Sequence, residues 1–434
     1  MSTAIQHAAT ICLGAAGQVV GRLTYSKSGS RENSSFSYDS QWLGSADRFS
    51  VSPDLEMIDG HQFHKAATTE DSVFHLGIAD TEPDGWGCRV IARDHARHRK
   101  AFAVQRPEMP FATLTEWDYL IGVDDFSRVG AIRLRDDQGD FLRTIKDGER
   151  ATPPLLELAH MLGASRAVER GTETEADLRY LRGRGTSLGG LRPKCTVIEE
   201  DGHLAIGKFP SIHDARSVTR GEVLALHLAR HAGIDAAEAR IVYAEDSPVA
   251  VIRRFDRTDK GGRIPYLSAA SILQARRDED RAYTEIADRI ITDCADPRRD
   301  LSELWRRIVF NLLITNVDDH LHNHAFLHVG NGQWRLSPAF DVNPFPDKDQ
   351  ELKTWLSEDT GPVADIEEVV RMADYFWIKP DLALQILEQV YSAIQKWRDV
   401  AMTPAVGMEP RDLIDFAPAF EHTLIKKAGK LLGI

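Results

Sequence analysis

The stretch Asn316-Val317-Asp318-Asp319-His320-Leu321-His322-Asn323 decides how this chain is read. It follows Leu301, Leu304, Trp305, Ile308, Val309, Leu312 and Leu313, whose i, i+3, i+4 spacing predicts a helix with one continuous apolar face. An Asp and an Asn five residues apart on an extended loop beyond such a helix can point into one cleft. The Asp then accepts a hydroxyl proton and the Asn amide oxygen holds magnesium. Eighteen residues after Asn323, past Ala325 to Leu327 and the turn Gly330-Asn331-Gly332-Gln333, comes Leu336-Ser337-Pro338-Ala339-Phe340-Asp341. A hairpin between them brings Asp341 back beside Asn323 and gives a second oxygen ligand for a metal that bridges nucleotide phosphates. Singly these pieces carry little, because Asp-x-His-x-x-Asn is commonly a turn or a helix cap. His320, His322, His324 and His328 also admit a zinc-hydrolase reading. That reading is the weaker, since successive strand residues alternate faces. His320 is expected to orient the loop by hydrogen bonding, and the other histidines to be ordinary polar positions.

Upstream lies the complement of a nucleotide site. Ser187-Leu188-Gly189-Gly190, followed by Lys194, is a loop entering a strand, and paired glycines let backbone N–H groups approach phosphates. The order of a Walker A loop is absent. Lys208 stands among apolar neighbours in Ile206-Gly207-Lys208-Phe209-Pro210. Such a lysine either snorkels from an edge strand or pairs with nucleotide phosphates and a helix carboxylate. Glu222 is the candidate carboxylate, although Thr219 and Glu222 also fit a capping box. In order, the chain therefore presents a Gly-rich loop, a strand Lys, a helix Glu, a link, Asp-x-x-x-x-Asn and a further Asp. That is the protein-kinase layout, without His-Arg-Asp or Asp-Phe-Gly.

Composition bounds the rest. The 434 residues, 27% charged and 42% hydrophobic, describe a globular protein and exclude collagen-like, coiled-coil and wholly disordered chains. At roughly 150 residues per domain, two or three packed units are expected. A net charge of −13 argues against gripping DNA or RNA across most of the surface. Cys12, Cys88, Cys195 and Cys294 are far apart and form no CxxC, so buried thiols are expected rather than a zinc ribbon or disulfides. Ala8 to Val20 lacks a basic flank and fits a strand better than a signal peptide, and no apolar run reaches the ~18 residues of a membrane span. A cytoplasmic protein is expected.

Strand character marks Ala9 to Tyr25, Ser34 to Trp42 and Val129 to Leu134, with few long helical patterns before about residue 145. The basic run Arg89 to Arg106 reads as a solvated face, or less often as a contact for an acidic partner or phosphates. A helix around Pro153 to Leu162, strands at Cys195 to Glu199 and His203 to Phe209, and a helix from Thr219 follow. Strands at Arg240 to Ala244 and Val249 to Phe255 lead into a helical second half, where Ala383, Ile386, Leu387, Val390, Ile394 and Trp397 share one face. The expected fold is α+β and two-lobed. Its parts are a β-rich subdomain at 1–145, a kinase-like N-lobe with Gly-rich loop and hinge at 146–257, and a helical C-lobe at 258–434.

At this point the sequence resembles the HipA toxins, bacterial serine/threonine kinases of type II toxin–antitoxin modules. The resemblance rests on Tyr38-Asp39-Ser40-Gln41-Trp42-Leu43, Ser52-Pro53-Asp54-Leu55, Ser187 to Lys194, Arg254-Phe255-Asp256-Arg257, Asp318-x-His320-x-x-Asn323 and Pro338-Ala339-Phe340-Asp341. It implies a HipA-like, protein-kinase-like fold with ATP in the cleft and adenine read by backbone near Arg253, Arg254 and Phe255. Asp318 is then the base, favoured over the adjacent Asp319 by its spacing to Asn323; Asn323 and Asp341 are magnesium ligands completing the catalytic set, and Lys208 is on the phosphates. Leu188, Gly189, Gly190, Lys194, His320 and Asn323 complete the expected nucleotide contacts. Autophosphorylation is implied at Ser187, with Thr186 beside it, and the added charge would repel the loop from ATP phosphates. The family further implies a dimeric HipB-like DNA-binding antitoxin that carries most DNA affinity, no membrane, and a translation-related target such as an aminoacyl-tRNA synthetase. The competing reading from another class is a non-catalytic co-repressor or scaffold of an antitoxin–DNA complex.

Overall fold

The computed structural model describes residues 5–106, 108, 111–143, 157–182, 190–276, 279–349 and 351–434. It separates into two compact units, Met1–Ile212 with Asp256–Leu267, and His213–Phe255 with Ser268–Ile434. The chain thus crosses from one unit to the other three times. Both units mix helix and strand, so the fold is α+β.

The first unit is built on a five-stranded antiparallel sheet in the order Gln62–His64, Arg31–Tyr38, Gln18–Ser28, Ile5–Leu13, Ile132–Arg135. One face of these strands carries Ala9, Ile11, Leu13, Val20, Leu23, Tyr25 and Phe36, which pack with Trp42, Phe74 and Trp117 into a core. A bulge at Ile11 and Cys12 shifts the register of the first pair. Gly21 is required where the strands cross closely, since a Cβ there would lie 2.3 Å from the Ser37 carbonyl oxygen. Cys12, Cys195 and Cys294 are buried and none of the four cysteines is bridged.

The first unit also holds a long helix, Gly85–Gln105, that the apolar pattern did not announce. Only Trp86, Gly87, Val90 and Asp94 of it are buried, so its hydrophobic stripe ends after two turns. Ala, Arg and Lys carry the remainder, and their intrinsic helix preference continues it into solvent. Arg89, Arg93, Arg97, Arg99 and Lys100 lie on its exposed side. The strands at Lys194–Ile198 and Leu204–Lys208 pair antiparallel, with Lys194 opposite Lys208. Of the helix expected around Pro153 to Leu162, residues 153–156 lie outside the described residues and the remainder leads into helix Leu158–Arg170.

In the second unit, helix Val218–His231 is followed by the hairpin Ala239–Ala244 and Ser247–Arg253. The capping box expected at Thr219 and Glu222 is not formed: the helix begins at Val218, and the Thr219 hydroxyl donates to the Pro248 carbonyl at 2.9 Å. Helix Pro297–Leu313 starts on the Asp296 cap with Pro297 in its first turn. All seven apolar residues of its stripe are buried. Helix Pro380–Gln395 buries Ala383, Ile386, Leu387, Val390 and Ile394, and Trp397 begins the next short helix.

One buried acid gives the first unit a pH signature. Asp124 accepts from the Ser127 N–H at 3.1 Å, yet burial, with Asp125 adjacent, pushes its pKa up to about 6. The folded state holds this proton more tightly than the unfolded chain, so the stabilisation is full below pH ~4 and is lost as pH rises through about 6. Between pH 4 and 7, urea unfolding should show wild type losing about 1–3 kcal/mol relative to Asp124→Asn. Parallel pH slopes for the two proteins would exclude this role.

Candidate active site

The decisive stretch sits beyond the C-terminus of helix Pro297–Leu313, in the second unit. Thr315 ends the helix in the left-handed region, with φ +57°, and Asn316 N–H reaches back to the Asn311 carbonyl at 2.8 Å. A β-branched residue adopts that conformation at a cost, and such strain persists where surrounding bonds dictate it. Those bonds are present here. The Thr315 carbonyl accepts from Phe345 N–H at 3.1 Å, and the Asn316 side chain bridges the Asn311 side chain and Asn343 N–H at 3.1 and 3.0 Å.

The two adjacent acids have opposite environments. Asp318 is exposed, whereas Asp319 is buried. The Asp319 Oδ2 atom accepts from Asn311 Nδ2 at 2.9 Å, from His324 Nε2 at 2.9 Å and from the Tyr283 hydroxyl. Its backbone carbonyl accepts from the Thr354 hydroxyl at 2.6 Å. Burial alone would raise the Asp319 pKa, but His324 and these donors hold it below the usual range. Burial and the Asp319 charge together push the Tyr283 phenol well up, so it stays protonated and donating. Asp319 is therefore a fixed anion that shapes the loop, and Asp318 is the acid offered to solvent.

The loop closes on itself through Asp318. Its carbonyl accepts from His320 N–H at 3.1 Å and from Asn323 Nδ2 at 3.1 Å, while Asn323 N–H donates to the His320 carbonyl at 2.8 Å. With its amide NH2 so used, Asn323 keeps its side-chain oxygen for another partner. The hairpin Ala325–Gly330 and Gln333–Leu336 forms with Phe326 opposite Leu336, turning through Gly330, Asn331 and Gly332, all at positive φ. Ser337 N–H then bonds the Ala325 carbonyl at 2.8 Å. Asp341 follows at φ +54°, its Oδ1 accepting from Asn343 Nδ2 at 3.0 Å. Asn323, Phe340 and Val342 line one small internal cavity, so the return of the chain toward Asn323 is realised.

An open cavity of about 820 Å³ adjoins Asp318 within this unit. Its walls include Val317, Asp280, Asp347, Lys353 and Trp355, and its charged lining is five carboxylates against two lysines. Phe255, the expected hinge residue, packs its ring 5.3 Å from Phe340, and Arg254 is buried while Arg253 is half-buried.

The histidines differ from expectation. Among the described residues the buried His320 Nδ1 has no hydrogen-bond partner, so His320 holds the loop through its backbone N–H and carbonyl rather than through this ring nitrogen. The ring bond to the loop is made by His324, read from sequence as an ordinary polar position. His320 and His322 meet edge to face, and His328 packs on Trp334. His320 and His322 thus face each other while His324 and His328 pack on Tyr283 and Trp334, so the four rings do not gather at one point.

The remaining nucleotide-site candidates lie in the first unit. Lys208 is buried at the end of its strand. Lys194 is buried with its Nζ 3.4 Å from Asp84, the residue that caps helix Gly85–Gln105. Gly190, at φ +89°, accepts from Trp86 N–H at 3.2 Å, and a Cβ there would approach Lys194 Nζ to 2.9 Å. Thr186, Ser187, Leu188 and Gly189 lie outside the described residues. Neither the Asp84–Lys194 pair nor the Asp319 cluster was found from sequence. A doubled acid, Asp318-Asp319, was the one available signal, because two adjacent carboxylates rarely share one environment.

Known proteins place this geometry in context. Residues 186–398 match the model of the HipA-like C-terminal domain. A protein of Haemophilus influenzae named "Putative kinase" is 25% identical over 38% of this chain and 55% of its own length. One from Sinorhizobium fredii, also named as a "Putative kinase", is 26% identical over 36% of this chain and 41% of its own. The chain therefore matches about half the length of these relatives. Among solved structures, HipA of Shewanella oneidensis, in a complex with HipB and its operator DNA, superposes with a TM-score of 0.64. That match covers 98% of both chains at 16% identity, so it speaks for the fold, which is the α+β kinase-like fold of HipA. No described helix is long and apolar enough to cross a membrane.

The unequal environments of the two acids make a stability prediction. Asp319→Ala strands three buried donors and should cost about 2–4 kcal/mol in chemical denaturation, whereas exposed Asp318→Ala should stay within about 0.5 kcal/mol of wild type. Equal losses would contradict the division of roles.

Proposed function

We propose a function for this chain from the family it belongs to: a HipA-like protein, with the HipA-like C-terminal domain over residues 186–398, acting as an ATP- and magnesium-dependent protein serine/threonine kinase. The observation that carries this reading is the exposed Asp318 carboxylate at an open cavity, held in place by a loop whose neighbouring Asp319 is buried and bonded by three donors on Oδ2. A general base must reach the hydroxyl it deprotonates, and Asp318 has that access.

The residues present fit magnesium, because Asn323 offers an amide oxygen and Asp341 a carboxylate, both hard oxygen donors. When bound, the ion would neutralise charge on the transferring phosphoryl group. Lys208 and Lys194 are assigned to the nucleotide phosphates, with Leu188, Gly189 and Gly190 supplying loop N–H groups, and Arg253, Arg254 and Phe255 backing the adenine. His320 is assigned beside the nucleotide. Asp318 would align and deprotonate the attacking hydroxyl, and Asp319 would keep the loop in register without touching the reacting atoms.

The acceptor is proposed to be a protein hydroxyl, in a translation component such as an aminoacyl-tRNA synthetase. Phosphorylating it would arrest growth and so favour persistence. Ser187, with Thr186 as its neighbour, is proposed as the site of regulatory autophosphorylation. A HipB-like DNA-binding antitoxin is the proposed partner, as HipB is of HipA in the Shewanella complex. The protein is proposed to act in the cytoplasm, as a 1–145 subdomain, a 146–257 N-lobe and a 258–434 C-lobe.

Purified protein incubated with labelled ATP and magnesium should transfer label to itself or to a translation extract. Asp318→Ala should lower the rate at least ~100-fold while leaving the fold intact, and Ser187→Ala should keep transfer to other proteins while removing label from the loop. Undiminished labelling by Asp318→Ala would overturn the mechanism. Absence of transfer by folded wild type, together with tight antitoxin binding, would favour the co-repressor reading instead.

A further inference from the structure

A second cluster of chemistry-bearing side chains lies in the first unit, on the edge of the five-stranded sheet. Asp54 comes from the turn Ser52-Pro53-Asp54-Leu55, His64 from the edge strand Gln62–His64, and His75 from the start of helix Leu76–Ala79. Their ligand atoms all lie within 4.8 Å of one another. The arrangement of protons among them is what calls for an explanation.

The Asp54 Oδ1 atom is occupied: it accepts from the Ser52 hydroxyl and from Leu76 N–H at 3.2 Å. Ser52 is fixed in turn, its oxygen accepting from Gly77 N–H at 2.8 Å. The other oxygen, Oδ2, faces two imidazole nitrogens, His75 Nδ1 at 2.7 Å and His64 Nδ1 at 3.2 Å. His75 is buried, and its Nε2 lies 3.2 Å from the Gln62 carbonyl oxygen. Both ring nitrogens thus face acceptors, and a neutral imidazole has one N–H for the two. With that hydrogen on Nε2, the Nδ1 lone pair is turned to Asp54 and open to a cation.

We propose that Asp54, His64 and His75 form a binding site for a first-row divalent cation of the zinc class. Two imidazoles and a carboxylate are a recurrent zinc donor set, with bonds of ~2.0–2.2 Å. Tetrahedral ligands at that range stand about 3.3 Å apart. The His64 to Asp54 separation of 3.2 Å already matches, and His75 must withdraw by only about 0.6 Å from its 2.7 Å contact. The supporting bonds are those of a ligand site: the far imidazole nitrogen donates to a backbone carbonyl, and the second carboxylate oxygen accepts a backbone N–H. Asp54 and His64 are 14% and 22% exposed, which leaves a path for the ion and for a water in the fourth position. Asp54 is already held as an anion far below the usual carboxylate range by the two histidines and Ser52, against the effect of burial. On binding, the metal takes the Nδ1 lone pairs and Asp54 Oδ2, and any proton carried by His75 leaves to solvent. The ion would tie together a turn, an edge strand and a helix start, and its role would be structural rather than catalytic.

The test uses the full chain, stripped with chelator and dialysed, then titrated with Zn2+ or Co2+. One equivalent should bind at pH 7.5, at least ~10-fold more weakly at pH 5.5 as protons compete for the imidazoles. Cobalt should give the visible absorption of a tetrahedral nitrogen and oxygen site. His64→Ala, at a partly exposed edge position, should keep the wild-type circular dichroism but lose binding and the rise in thermal midpoint on zinc addition. His75→Ala should do the same if it folds, and His320→Ala with His322→Ala should bind as wild type. No stoichiometric binding by folded wild type, binding that survives in His64→Ala, or binding lost with His320 and His322 would each overturn the site.

Discussion

The buried Asp319 carboxylate is the constraint around which the 316–323 loop is arranged. A charge removed from water persists only if donors replace the lost hydration, and here Asn311, His324 and Tyr283 do so on one oxygen. Each donor comes from a different element: the long apolar helix, the hairpin entrance and helix Tyr283–Asp293. Satisfying one anion thereby fixes three elements against one another. The residue before it is turned out to solvent as a consequence, and this is how Asp318 acquires its exposure without a device of its own.

Much of this could be read from residue order. The apolar stripe from Leu301 to Leu313 predicted its helix because burial and 3.6 periodicity coincide there. The Gly330-Asn331-Gly332 turn predicted the hairpin because only such residues take three successive positive φ values cheaply. What could not be read was long-range pairing of polar groups. Nothing in the neighbourhood of Tyr283 or Thr354 marks them as partners of Asp319, and nothing near Lys194 in sequence marks Asp84 as its neighbour. His320 and His324 exchanged their expected roles because spacing says which residues are near in sequence, not which way a ring faces. The Gly85–Gln105 helix escaped for another reason: most of it is solvated, so no apolar period records it.

The division of the chain into units has its own polar logic. The stretch Arg254-Phe255-Asp256-Arg257 is shared, with Phe255 in the second unit and Asp256 in the first. Asp256 is buried and its Oδ2 accepts from Gly130 N–H at 2.7 Å and from Arg257 Nη1 at 2.6 Å, while Arg257 also donates to the Arg128 carbonyl at 2.7 Å. Arg128, itself fully buried, donates to the carbonyls of Thr81, Leu120 and Val123. The stretch read from sequence as a link thus also clasps, through Asp256 and Arg257, the 126–130 loop of the first unit.

The bonds that shape the Asp318 loop span short distances along the chain: Asn311 to Asp319, Asp318 to Asn323, Asp319 to His324, Asn316 to Asn343. Closing such small loops costs little chain entropy, and contacts of low sequence separation form early. Most of the loop's geometry is therefore available as soon as the long helix and the following hairpin meet. Tyr283 and Thr354 arrive from farther away to lock a shape that residues 311–343 already prefer, so this segment behaves as a cassette whose form is largely its own.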